Sequence, residues 1–182
     1  MSVLVVTPPA PLIDFKMVKD HLKLDSGDED TLLESYIAAA SGWIDNPLGW
    51  LGRAILTQTL ELRVADFSDA ECLPHGPISS IESVKYLTPA GVEETLPDNA
   101  YRLDGQALVA TGSWPALRGD AEGVRVRYVV GGAEAPAPVQ QAALLLIGQW
   151  HANRASVVIG TIVNQMPFGI EALLQPYRKW HC

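Results

Sequence analysis

Apolar residues recur at steps of three and four between Leu32 and Ile44, through Leu33, Tyr36, Ile37, Ala40 and Trp43. That period gathers them on one side of a helix and predicts one from about Asp28 to Asp45. Its Ala38-Ala39-Ala40-Ser41-Gly42 stretch keeps part of the surface small, which permits close approach of another helix. The Asn46-Pro47-Leu48-Gly49 cluster ends it. A shorter helix precedes it, with Asp14 as N-cap and Phe15, Val18 and Leu22 on one side, running to about Leu24. Residues 1–12 read as an extended arm, because Pro8, Pro9 and Pro11 deny it helix and ladder hydrogen bonds.

From Ala54 to Val130 the period shortens to two. Leu56, Leu60, Leu62 and Val64 alternate with Thr57, Thr59, Glu61 and Arg63, as a half-buried strand requires. Further strands are expected at Ile78 to Leu87, Tyr101 to Leu103, Ala107 to Ala110 and Val124 to Val130. Turn signals separate them: His75-Gly76-Pro77, Pro89-Ala90-Gly91, Pro97-Asp98-Asn99, Asp104-Gly105 and Gly112. The middle therefore reads as an antiparallel sheet or small sandwich. Gly131-Gly132, with the following Ala/Pro-rich residues, reads as a hinge back into helix.

The last third returns to helix with a different character. Val139 to Asn153 is apolar around most of its circumference, the mark of a helix buried on several sides. Beyond it, Met166, Pro167, Phe168, Ile170, Leu173, Leu174, Tyr177 and Trp180 crowd into a terminus with little chain left to cover them. Termini fray unless tied down, so these side chains call for a partner surface. The boundary between folding and assembly is expected near Asn153 to Val157. The fold class is α+β: a helical core of two N-terminal helices and one long C-terminal helix, an inserted antiparallel β region, and an extended tail. The expected organisation is one structural domain: arm and helical hairpin over 1–53, β-rich insertion over 54–132, core helix over 133–156, and docking segment over 157–182.

Length and composition change this picture little. The 182 residues are 48% hydrophobic and 19% charged, enough for one ordinary core. The formal charge of −8 shows no basic stripe of the kind that neutralises phosphates. Met1 to Val6 lacks a basic start and meets Thr7-Pro8-Pro9, so no signal peptide is expected. The longest apolar run, Ala142 to Ile147, is far short of the ~20 residues that span a bilayer. A soluble, intracellular protein is expected.

Candidate chemistry is thin. Cys72-Leu73-Pro74-His75 has metal-like spacing, and His181-Cys182 offers two more ligands, but Pro sits in the knuckle and the second pair is adjacent. The same Cys72 and His75 are the only basis for a small thiol or metal-dependent hydrolase, and no orienting group can be nominated for them. The acidic run Asp25 to Asp30 lacks the Gly and Glu of a calcium loop and suits a helix start instead. No phosphate loop, nucleophile elbow or zinc-helix motif is present. His21 reads as a boundary side chain and His151 as a helix C-terminal imidazole. Trp114 and Tyr101 invite a sugar-platform reading, against which core packing in a small sheet is favoured. No enzyme, cofactor or metal is expected.

One ordered set of segments resembles a known family. LIDFKMVKDHLKLDSGDEDTLLESYIAAASGWID, GRAILTQTLELRVADF, PHGPISSIESVKYL and QQAALLLIGQWHANRASVVIGTIVNQMPFGIEALLQPYR together resemble the head-tail connector, or adaptor, proteins of long-tailed bacteriophages, prophages and gene transfer agents. The resemblance runs over about residues 12 to 178. The Asn46 to Leu51 segment is longer and more apolar than the family pattern. The resemblance implies a helical core with a β-rich insertion, and a self-assembled ring, commonly of twelve copies. That ring docks beneath the portal protein, extends the DNA channel and offers a platform to the next neck or tail-completion protein. Genome DNA passes through the lumen without specific binding, and acidic side chains lining it would keep DNA from adhering. The implied location is the virion neck, assembled in the bacterial host cytoplasm. Carried onto this sequence, portal docking falls to Val157, Val158, Ile159, Ile162, Pro167, Phe168, Ile170, Leu173, Leu174, Tyr177, Arg178 and Trp180. A ring needs head-to-tail contacts that close, and the small-residue side of the second helix and the β region are candidates for them, with Ala38, Ser41, Gly42 and Arg53 as the named residues. A stopper or tail-completion protein, one ring further down, is the alternative within the same class.

Overall fold

The computed structural model describes residues 1–47, 49–153 and 168–179. They form an α+β fold that divides into two compact units. One unit comprises Met1–Pro9 with Arg53–Ala133 and holds the strands; the other comprises Ala10–Gly52 with Glu134–Trp180 and holds the helices.

The β unit is built on a five-stranded antiparallel sheet. Its strands are β1 (Ser2–Thr7), β2 (Gln58–Val64), β3 (Ile78–Leu87), β4 (Glu93–Thr95) and β7 (Val124–Val130), in the order β1-β2-β7-β3-β4. A separate hairpin pairs β5 (Tyr101–Asp104) with β6 (Ala107–Ala110). Leu60, Leu62 and Val64 of β2 and Val124, Val126, Tyr128 and Val130 of β7 turn to one face, where they join Phe67, Leu73, Val84 and Leu108 in the core. The strict alternation of β7 makes this face: every second residue is buried and the intervening ones are half-exposed. Tyr128 is fully buried, its hydroxyl donating to the Pro74 carbonyl at 3.3 Å, and burial raises its phenol well above the ordinary range.

Two expectations for this region need correction. The arm is a strand: Ser2 to Val5 pair with Arg63 to Leu60 of β2, and Thr7 with Thr59. Pro8, Pro9 and Pro11 follow the paired residues, so they terminate the ladder instead of forbidding it. Nor is Gly131-Gly132 a free hinge. Thr57 N–H donates to the Gly132 carbonyl and Gly132 N–H to the Ile55 carbonyl, both at 2.8 Å. Gly131 has φ of +84°, and a Cβ there would collide with the Leu56 carbonyl oxygen. Glycine is required because two backbones meet.

The helical unit contains α1 (Phe15–Leu22), α2 (Asp30–Ile44), α3 (Ala137–Ala152) and α4 (Phe168–Leu174). Asp14 caps α1 by accepting from Lys16 N–H at 2.7 Å, and Lys23 closes it in the left-handed region with φ of 56°. α3 starts with Pro138 in its first turn and buries Val139, Ala142, Ala143, Leu144, Leu146 and Ile147, so apolar surface is covered on several sides. α2 buries Leu33, Ile37, Ala40 and Ile44. Tyr36 and Trp150 meet with ring centroids 6.0 Å apart, and Glu29 reaches His151 Nε2 at 2.7 Å. At the end of the acidic run, Asp30 pairs with Lys19 Nζ at 2.9 Å, and that ammonium also donates to the Ser26 carbonyl.

Candidate functional site

The C-terminal segment folds back onto its own unit. Ile170 and Leu174 of α4 are 2% and 0% exposed. Isolated helices shorter than about 12–15 residues are marginal in water. A seven-residue helix such as α4 is therefore held by this packing, not by its own propensity. After it, Lys179 N–H donates to the Leu51 carbonyl at 2.9 Å. The Arg178 guanidinium lies 4.6 Å over the Trp50 ring, and Trp50 stacks against Trp43 at 6.2 Å. The longer, apolar 46–51 segment thus carries part of the seat for the chain's end.

This placement corrects the docking surface. A side chain buried in its own unit cannot anchor a partner without unfolding, so Ile170 and Leu174 are core residues rather than docking anchors. Leu173, Tyr177 and Arg178 remain half-buried, with Ala172, Gln175 and Pro176 exposed beside them. Val157, Val158, Ile159, Ile162, Pro167 and Trp180 lie outside the described residues, as does the Phe168 side chain. The boundary expected near Asn153 to Val157 shifts as well, because residues 169–179 belong to the folded unit.

The four ring-contact candidates are scattered in character. Ala38 and Gly42 are exposed on α2, and a Cβ at Gly42 would meet open space. Ser41 is engaged internally, its Oγ accepting from Leu12 N–H at 3.1 Å. Arg53 lies in the other unit, half-buried, with a buried Nε that has no hydrogen-bond partner among the described residues.

Sequence reasoning missed the outer face of the sheet. Glu61 is 8% exposed and accepts from Arg63 Nε and Arg127 at 2.8 Å each. Burial alone would raise its carboxyl; the two guanidinium groups outweigh it and hold it below the ordinary value. Glu93 similarly bridges Arg125 at 2.9 Å and Lys85 at 3.0 Å, and Glu122 takes a second contact from Arg63 at 3.4 Å. The alternating Arg125-Val126-Arg127 pattern carried the signal, but their partners come from β2 and β4, distant in sequence.

Cys72 is exposed and bridges to Ala107, whereas His75 is buried at a turn with φ of 64°. Among the described residues no group of three or more His, Cys, Asp or Glu is placed to hold a metal. His21 is exposed beside Gly148 of α3. Trp114 stacks on Phe67 with centroids 4.4 Å apart and planes 4° from parallel, and Tyr101 is 8% exposed, so both rings serve the β core rather than a sugar platform. Among the described residues no helix is long and apolar enough to cross a membrane.

Residues 11–180 match the family of head completion proteins. The chain belongs to that family. No individually curated protein matches it at a significant level. Among solved structures, this head completion protein is similar to a chain in the neck of an empty gene transfer agent particle computed with C6 symmetry, with a TM-score of 0.72 and 23% identity. It is similar also to a chain in the neck of a native gene transfer agent particle computed with C12 symmetry, at TM-score 0.69 and 21% identity. A third match, in the virion of a native gene transfer agent particle, has TM-score 0.69 and 22% identity. In each, the match covers 100% of this chain and 97% of the other.

Proposed function

We propose that this head completion protein is the adaptor of a phage-like neck. In that role it forms a ring, of twelve copies, beneath the portal protein, extends the DNA channel, and joins the filled head to the next neck or tail-completion protein. The observation that carries this reading is the family match over residues 11–180, supported by a fold that aligns end to end with neck chains. The role is structural, as the match to a head completion family supports. Portal docking belongs to the segment from 157 onward, with Leu173, Tyr177 and Arg178 as its described contributors. DNA passes without specific binding, in keeping with a net charge of −8.

The test is a particle made without this chain. DNA-filled heads that lack tails, rescued by supplying the wild-type chain, are the expected result by electron microscopy. Tailed particles at undiminished yield overturn the reading.

A further inference from the structure

We infer that the outer edge of strand β6 receives an extended segment of a partner protein, one that carries a lysine or arginine. In its hairpin β6 pairs with β5 along one side, from Tyr101 against Ala110 to Asp104 against Ala107. The other side is covered only at its start. There Leu73 N–H donates to the Gln106 carbonyl at 2.9 Å, and Leu108 N–H to the Glu71 carbonyl at 3.1 Å. The chain before Glu71 is a 3₁₀ turn, Ser68–Ala70, so the ladder stops at that bond.

Parity along the strand shows what is left open. In an antiparallel pair, alternate residues direct both backbone groups to the same side. Leu108 faces outward, as its bond to Glu71 requires, and Ala110 therefore does too; Thr111 N–H turns back to the Ala100 carbonyl at 2.9 Å. The Leu108 carbonyl and both backbone groups of Ala110 have no hydrogen-bond partner among the described residues.

This open edge forms one side of a groove of about 430 Å³, which Trp114, stacked on Phe67, also lines. A Cβ at Gly112, in the same groove, would meet open space. Glu71 is the groove's single charged residue, exposed and without an ion pair among the described residues. These features state the chemistry of the occupant. Outward groups repeating every second residue, about 7 Å along a strand, match the backbone of another extended chain. Such strand addition draws affinity from main-chain hydrogen bonds and specificity from the side chains beside the edge. The unpaired Glu71 carboxylate selects a cation and repels a phosphate, within a chain already at −8. A basic extended peptide therefore fits this edge, and a nucleic-acid strand does not.

The test is an NMR titration of the full chain, with the blocked peptide Thr-Val-Lys-Val-Thr as probe. The Ala110 and Gly112 amides and the Trp114 indole N–H should shift and saturate. N-methylating the probe's outward amides, or replacing its lysine by glutamate, should weaken binding about three- to tenfold. Ala110→Pro removes an outward N–H that bonds nothing in the fold, so the shifts should vanish while the thermal melt stays unchanged. Glu71→Lys alters only an exposed side chain and should reverse the preference toward the glutamate peptide. Absence of saturable shifts at these groups overturns the inference. So do equal binding of the two peptides, binding that survives N-methylation or Ala110→Pro, and a response of the same signals to duplex DNA. Each of these results leaves the adaptor reading standing, because that reading rests on the family match.

Discussion

At the scale of single residues, Glu61 shows how a charged group comes to sit inside a sheet face. Its carboxylate is desolvated, and two guanidinium groups at 2.8 Å compensate. Hydrogen bonds to charged groups contribute about 1.5–3 kcal/mol, and removing one partner leaves the others exposed to the cost of desolvation. Arg63 and Arg127 are partly solvated, so Glu61→Gln should lose about 1–2 kcal/mol, read from urea denaturation at pH 7. The pH dependence has a definite sign. A carboxyl whose folded pKa is depressed stabilises fully above its unfolded value, about 4.3 for Glu, and loses that contribution as pH falls through the folded value. The gap between wild type and Glu61→Gln should therefore be widest near neutrality and shrink steadily below about pH 4.

At the scale of elements, α4 separates what folds the chain from what it offers to others. Leu174→Ala should destabilise the helical unit by about 2–5 kcal/mol, because the side chain is fully buried and leaves a cavity. Limited proteolysis should then cut around residues 169–179. Tyr177→Ala, at a half-buried position, should leave the melt nearly unchanged but weaken portal binding in a pull-down; equal effects of the two variants on the melt would refute the division. Helix α2 and strand β7 were legible because each buries one face and leaves a period in the sequence, and α3 because its long apolar run is covered on several sides. β1 was not: Leu4, Val5 and Val6 have no alternation, and three prolines just downstream argued against a strand that ends before reaching them. β4 was invisible for a related reason, since Glu93-Glu94-Thr95 is wholly exposed and owes its pairing to partners on β3. The internal fate of Ile170 and Leu174 was equally hidden. A hydrophobic residue near a terminus looks the same whether its cover is its own unit or a neighbour, and only the packing tells them apart.

At the scale of the whole molecule, the ion-paired sheet face bears on how DNA meets this protein. Arg63, Lys85, Arg125 and Arg127 are each engaged by Glu61, Glu93 or Glu122. To bind phosphate, each would have to give up a carboxylate already in contact, in a chain whose acidic residues outnumber its basic ones by 21 to 13. Fluorescence anisotropy with duplex DNA should show negligible binding by the full chain at 50 mM salt; tight binding there would contradict the proposed passage without adhesion. A protein that neutralises several phosphates releases as many counterions and loses about 10³–10⁵ in affinity between 50 and 200 mM salt. With its cations already committed to its own carboxylates, this sheet face has no counterions to release from DNA. If the proposed DNA passage runs along this face, DNA there meets cations already paired, and its mobility should respond weakly to ionic strength.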